Sequence, residues 1–131
     1  MLNKKKIRKV VAAMGVSIFT LGSSQLVANA SDITSGTWLL YRNAPGSGST
    51  GDTVVLTARE GKTYTAKCNT YSGSITVSFS NPYLSATNST FSSTGTRRFS
   101  FANSVTGSKQ QVSFKISDSH TGSASGSAYR N

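Results

Sequence analysis

Alternation with a period of two is the feature that most limits what this chain can fold into. In "SITVSFS" (74–80), Ile75, Val77 and Phe79 fall on one side, and Ser74, Thr76, Ser78 and Ser80 on the other. "RRFSFA" (97–102) sets Phe99 and Phe101 against Arg98 and Ser100, and "QVSFKIS" (111–117) sets Val112, Phe114 and Ile116 against Ser113, Lys115 and Ser117. Successive side chains of a strand point to opposite faces, so each segment has one dry face and one wet face. That pattern belongs to antiparallel sheets with one face on a core. No stretch after residue 30 carries apolar residues at helical spacing over three turns.

Two earlier segments alternate less cleanly. "GTWLLYR" (36–42) is continuously apolar, which predicts a strand buried on both faces, and "DTVVLTA" (52–58) has Val54, Val55 and Leu56 in a row. Between them "NAPGSGSTG" (43–51) reads as a loop. In 81–95, Asn81-Pro82 signals a turn, and Tyr83-Leu84 and Phe91 suit two short strands. The end, "GSASGSAYRN", has only Tyr129 as a large side chain to bury and reads as a last edge strand or a flexible tail. Seven or eight short strands in about a hundred residues predict an all-β fold, a small antiparallel β-sandwich, with a small closed β-barrel as the alternative.

Serine and threonine make up 36 of the 101 residues from Ser31 onward. A composition this polar can denote a disordered stalk. The 23 Val, Ile, Leu, Phe, Trp and Tyr residues in the same span, regularly spaced, argue instead for a folded domain with hydroxyls on its wet faces. Threonine suits strands through its branched Cβ.

The first thirty residues stand apart. Lys4, Lys5, Lys6, Arg8 and Lys9 precede the apolar run "VVAAMGVSIFTLG", and Ala28-Asn29-Ala30 puts small residues at −3 and −1 of a cleavage site. These are the three parts of a secretory signal peptide, and the apolar run is too short for a membrane anchor. Residues 1–30 are therefore expected to be a cleaved signal and 31–131 a single secreted domain, with no membrane span left after cleavage. The lysine-rich leader suits a bacterial precursor, and the mature protein is expected to be extracellular, free or loosely wall-associated. Without the leader, nine Lys and Arg face four acids, Asp32, Asp52, Glu60 and Asp118, for a net of +5. The charge is scattered except at Arg97-Arg98. Nucleic-acid binders concentrate theirs, so no specific nucleic acid is expected, whereas anionic wall polymers fit.

Cys68 is the only cysteine. "LTAREGKTYTAKC" reads as a hairpin with a three-residue loop, Arg59-Glu60-Gly61, whose last position favours a left-handed glycine. Leu56 then faces Tyr64, Val54 faces Ala66 and Asp52 faces Cys68. This places Cys68 on the dry side as a small core residue, and an intermolecular disulfide is the competing reading.

Signals for chemistry are sparse. One histidine (His120), one cysteine and four dispersed acids do not suggest a metal centre, and no cofactor is expected. Asp118 and His120 are two apart, but "SDSHTG" has the composition of a turn. There is no G-x-S-x-G elbow and no phosphate-cradling loop, so a non-enzymatic role is expected. The predicted function is a monomeric binding or interaction module for an anionic cell-wall polymer, glycan or surface protein. Tyr41, Tyr71, Tyr83 and Tyr129 with Arg97 and Arg98 are the candidate contacts. A bacteriocin-like antibacterial protein is the alternative, although the chain lacks the amphipathic cationic helix usual in membrane-active proteins.

Overall fold

Nine strands assemble into two antiparallel sheets that face each other across a single core, in a computed structural model that describes residues 32–131. The predicted signal peptide and its cleavage site lie outside the described residues. The strands are β1 (Ser35–Arg42), β2 (Gly51–Thr57), β3 (Tyr64–Gly73), β4 (Val77–Ser80), β5 (Leu84–Ala86), β6 (Thr90–Phe91), β7 (Gly95–Phe101), β8 (Lys109–Ile116) and β9 (Gly122–Arg130). One sheet has the order β1-β9-β3-β7-β5 and the other β2-β8-β4-β6. The fold is thus the predicted sandwich and not the closed barrel.

Odd-numbered strands form the five-stranded sheet and even-numbered strands the four-stranded one, so every connection crosses between layers. This corrects the expected β2–β3 hairpin. Gly61 does adopt a left-handed conformation (φ 72°), but the turn it closes is an arch from one sheet to the other. Leu56 pairs with Gln110, Val54 with Val112 and Asp52 with Phe114, while Tyr64 pairs with Phe99. The direction of each side chain survives the change of partner, because it depends on position along the strand alone. Cys68 is accordingly buried, between Gly95 on β7 and Gly126 on β9.

The inward positions build a mostly aromatic core. Trp38 stacks on Phe114 at 4.7 Å between ring centroids, and Phe79 lies within 6.0 Å of Phe91, Phe99 and Phe114. Such offset and edge-on pairs add to the stabilisation from area burial. Strand β1 is not buried on both faces as its composition suggested: Trp38 and Leu40 are buried, whereas Leu39 is 54% exposed.

The last strand is a second correction. β9 is neither an edge nor a tail but lies between β1 and β3. Its inward residues, Ala124, Gly126 and Ala128, are small, and at Gly126 the Lys67 backbone and the Trp38 ring leave no room for a side chain. A Cβ on Gly126 would lie 2.9 Å from Trp38 Cζ2 and 1.8 Å from the Lys67 carbonyl oxygen. The Trp38 indole donates to the Ser127 carbonyl at 3.3 Å.

One side of the sandwich is stitched together. The Thr57 N–H donates to the Ile33 carbonyl, and the Ile33 N–H to Thr57 Oγ1. Further along, the Asp52 carboxylate accepts from the Leu39 N–H of β1 (2.9 Å) and the Thr53 N–H of β2 (2.8 Å). At one corner Arg130 forms a two-pronged ion pair with Asp32 at 2.7 and 2.8 Å, and also donates to the Thr57 carbonyl. The hydrogen bonds from Arg130 hold the Asp32 carboxyl down at about 2 against an opposing desolvation, and the Arg130 and Arg59 charges act in the same direction as the hydrogen bonds.

Candidate functional site

The outward positions of the five-stranded sheet form rows that cross β1, β9, β3 and β7. One row runs Ser35, Tyr129, Thr65, Arg98, and the next runs Thr37, Ser127, Lys67, Thr96. After a bulge between Cys68 and Thr70 come Leu39, Ser125, Thr70, and then Tyr41, Ser123, Ser72. In the last two rows hydroxyls bridge the strands, Thr70 to Ser125 at 2.6 Å and Ser72 to Ser123 at 2.8 Å. Neighbouring strands are about 4.8 Å apart, and same-face residues repeat about every 6.7 Å along a strand. The result is a near-regular grid of hydroxyls, except that Thr65 is buried and donates its hydroxyl to Asn131 Oδ1.

Charge on this face has one sign. Lys67 and Arg98 are exposed on adjacent strands, two residues out of direct opposition, which separates their Cα atoms by roughly 7–8 Å. None of the outward positions in these rows is an acid. Among the described residues, neither cation has a carboxylate within salt-bridge reach. Arg59 and Arg130 are by contrast engaged with Asp32, and Arg42 donates to the carbonyls of Asp118 and His120.

Of the six residues predicted as contacts, three share this face: Tyr41, Tyr129 and Arg98. The two tyrosines stand at its opposite ends, six residues apart along β9, about 20 Å. Arg97 points the other way. It lies at an inward position of β7, beyond the residues that pair with β5, with its guanidinium 4.9 Å from the Phe91 ring centroid and its Nε donating to the Thr90 carbonyl at 2.8 Å. Tyr71 pairs with Ala124 on the inner face, packs against the core and donates its hydroxyl to the Ile75 carbonyl. Tyr83 is 47% exposed but belongs to the turn between β4 and β5, away from this face. Sequence reasoning missed Leu39, whose outward position in β1 was hidden by the apolar run around it. Lys67 was not counted as a contact either, although it is the outward neighbour of Cys68 on β3. The serines of β9 were missed because small inward residues hid the alternation.

Groups that could carry chemistry are dispersed. His120 Nδ1 lies 3.3 Å from Asp118 Oδ2, but the imidazole side chain is 61% exposed and no hydroxyl or thiol bonds to it among the described residues. Asp118 also accepts the His120 N–H, as a turn residue does. Burial raises the Cys68 thiol above its ordinary pKa, with only partial opposition from the Arg97 charge, which keeps it protonated and unreactive. No group of three or more His, Cys, Asp or Glu that could hold a metal occurs among the described residues. No helix among them is long and apolar enough to cross a membrane. Comparison with known proteins returns no match: no family model, no curated protein and no solved structure is significantly similar to the chain.

Proposed function

We propose that this protein is a non-catalytic extracellular binding module whose outer five-stranded face engages an anionic, hydroxyl-bearing polymer of the bacterial cell wall. One observation carries the reading: Lys67 and Arg98 stand together, without acidic partners among the described residues, within a grid of serine and threonine hydroxyls. The cations supply attraction for phosphate or carboxylate groups, and the hydroxyls donate to and accept from sugars or polyols along the chain. Tyr129 and Tyr41 offer flat apolar surface with a polar tip at either end. Exposed charges act weakly and are screened beyond about 10 Å at 0.1 M salt. Binding of this kind depends on many repeats of a polymer and falls as salt rises.

Sedimentation with purified cell walls tests the proposal. The protein is expected to be retained at low salt and released at high salt. The double variant Lys67→Glu, Arg98→Glu is expected to lose retention with an unchanged circular dichroism spectrum. Absence of retention at low salt, or equal retention of the double variant, would reject the reading.

A further inference from the structure

A second surface on the opposite side of the molecule has a different chemistry. The outward residues Lys109, Gln111 and Ser113 of β8 and Ser80 of β4 form the floor of an open depression, and the turn that follows β4 raises Asn81 and Tyr83 as its wall. That wall is fixed. Asn81 Oδ1 accepts the Tyr83 N–H at 2.8 Å, and Asn81 Nδ2 donates to the Gln111 carbonyl (2.9 Å) and to Gln110 Oε1 (3.1 Å). The Leu84 N–H closes on the Asn81 carbonyl, and the Tyr83 carbonyl accepts the Ala102 N–H from the end of β7. The fold thus holds the Tyr83 backbone by hydrogen bonds on both sides, yet leaves its side chain 47% exposed. An aromatic side chain presented this way gains little from the protein's own core, and its open surface is available to a ligand.

We infer that this depression binds a pyranose sugar carrying a carboxylate or phosphate. The Tyr83 ring offers a flat apolar surface against the C–H face of a sugar ring. Ser80, Ser113 and the exposed Gln111 amide supply donors and acceptors for ring hydroxyls. Lys109 is the only charge in the lining and is positive, with no carboxylate partner among the described residues, so an acidic substituent is preferred over a neutral sugar. Small-ligand sites combine such an apolar surface with a few placed polar groups. The site uses none of the residues of the five-stranded face and stands or falls separately from it.

Amide chemical-shift mapping on the labelled protein tests the site, with galacturonic acid, glucose 6-phosphate, glucose and inorganic phosphate as separate probes at millimolar concentration. Galacturonic acid and glucose 6-phosphate are expected to shift residues 80–83 and 109–113, and glucose to shift the same residues more weakly. Tyr83→Ala is expected to weaken binding about tenfold or more, Tyr83→Trp to retain it, and Lys109→Gln to remove the preference for the acidic sugars. The Lys67→Glu, Arg98→Glu variant is expected to bind these probes as the native protein does. Absence of shifts with every sugar, shifts confined to the five-stranded face, or the same shifts with inorganic phosphate alone would overturn the assignment. Full binding by Tyr83→Ala would do so as well.

Discussion

Arg97 and Arg98 show how far apart two adjacent residues can lie in role. Their side chains leave β7 in opposite directions. Arg97 covers the Phe91 ring and satisfies the Thr90 carbonyl, whereas Arg98 stands free among hydroxyls. Arg97→Ala is expected to cost roughly 1–2 kcal/mol through the lost hydrogen bond and ring contact. Arg98→Ala is expected to stay within about 0.5 kcal/mol in stability and to weaken wall retention instead. Urea titration and wall sedimentation of the two variants separate these outcomes. Parity along the strand, which assigned Phe99 and Phe101 inward, separates the two arginines, although both were expected as contacts. The sequence could not show that the inward arginine lies over the Phe91 ring and within reach of the Thr90 carbonyl. Cys68 was legible for the same reason: its side of β3 follows from Tyr64 and Ala66, whichever strands lie alongside.

At the level of elements, the lesson lies in the loops. A short turn with a left-handed glycine serves a hairpin within one sheet or an arch between two, and Gly61 meets the needs of either. Strand positions and facing were therefore readable, and strand partners were not. β9 was misread for a related reason. Its alternation of Ser123, Ser125 and Ser127 with Ala124, Gly126 and Ala128 is complete, but a glycine at its centre makes sense only once Trp38 and the Lys67 backbone are known to close on Gly126. Edge strands show a further device. Unpaired N–H groups on an edge invite another strand, and one carboxylate here caps such groups on both β1 and β2. Asp52→Ala is expected to lower stability by about 1–2 kcal/mol and to raise self-association as concentration increases, with Asp52→Asn intermediate. Denaturation midpoints and sedimentation velocity at several concentrations measure the two effects. A monodisperse Asp52→Ala protein at high concentration would show that the cap does not guard the edge.

Across the whole molecule, the ends of the described chain are tied together by charge. Arg130, one residue from the C-terminus, grips Asp32 just ahead of β1. The Asp32 carboxyl sits at about 2 in the fold, against 3.8 ordinarily, so more protons bind to it in the unfolded chain. Its contribution to stability is complete above pH 3.8 and disappears as pH falls toward about 2. The thermal midpoint is expected to drop over that interval, and Asp32→Asn is expected to show a lower midpoint at neutral pH and a smaller drop on acidification. Equal acid sensitivity in the two proteins would assign the effect to other carboxylates. The hydroxyl-rich faces were visible in composition, but the gathering of Lys67 and Arg98 on one of them depends on the β3–β7 pairing and was not. The strand order has a consequence in time as well. Among the described residues the sole in-sheet neighbour of β1 is β9, so the first described strand waits for the last. Contacts between such distant segments form late and slowly. During synthesis β1 therefore stays unpaired along its length, and open to proteases, until Gly122–Arg130 has emerged.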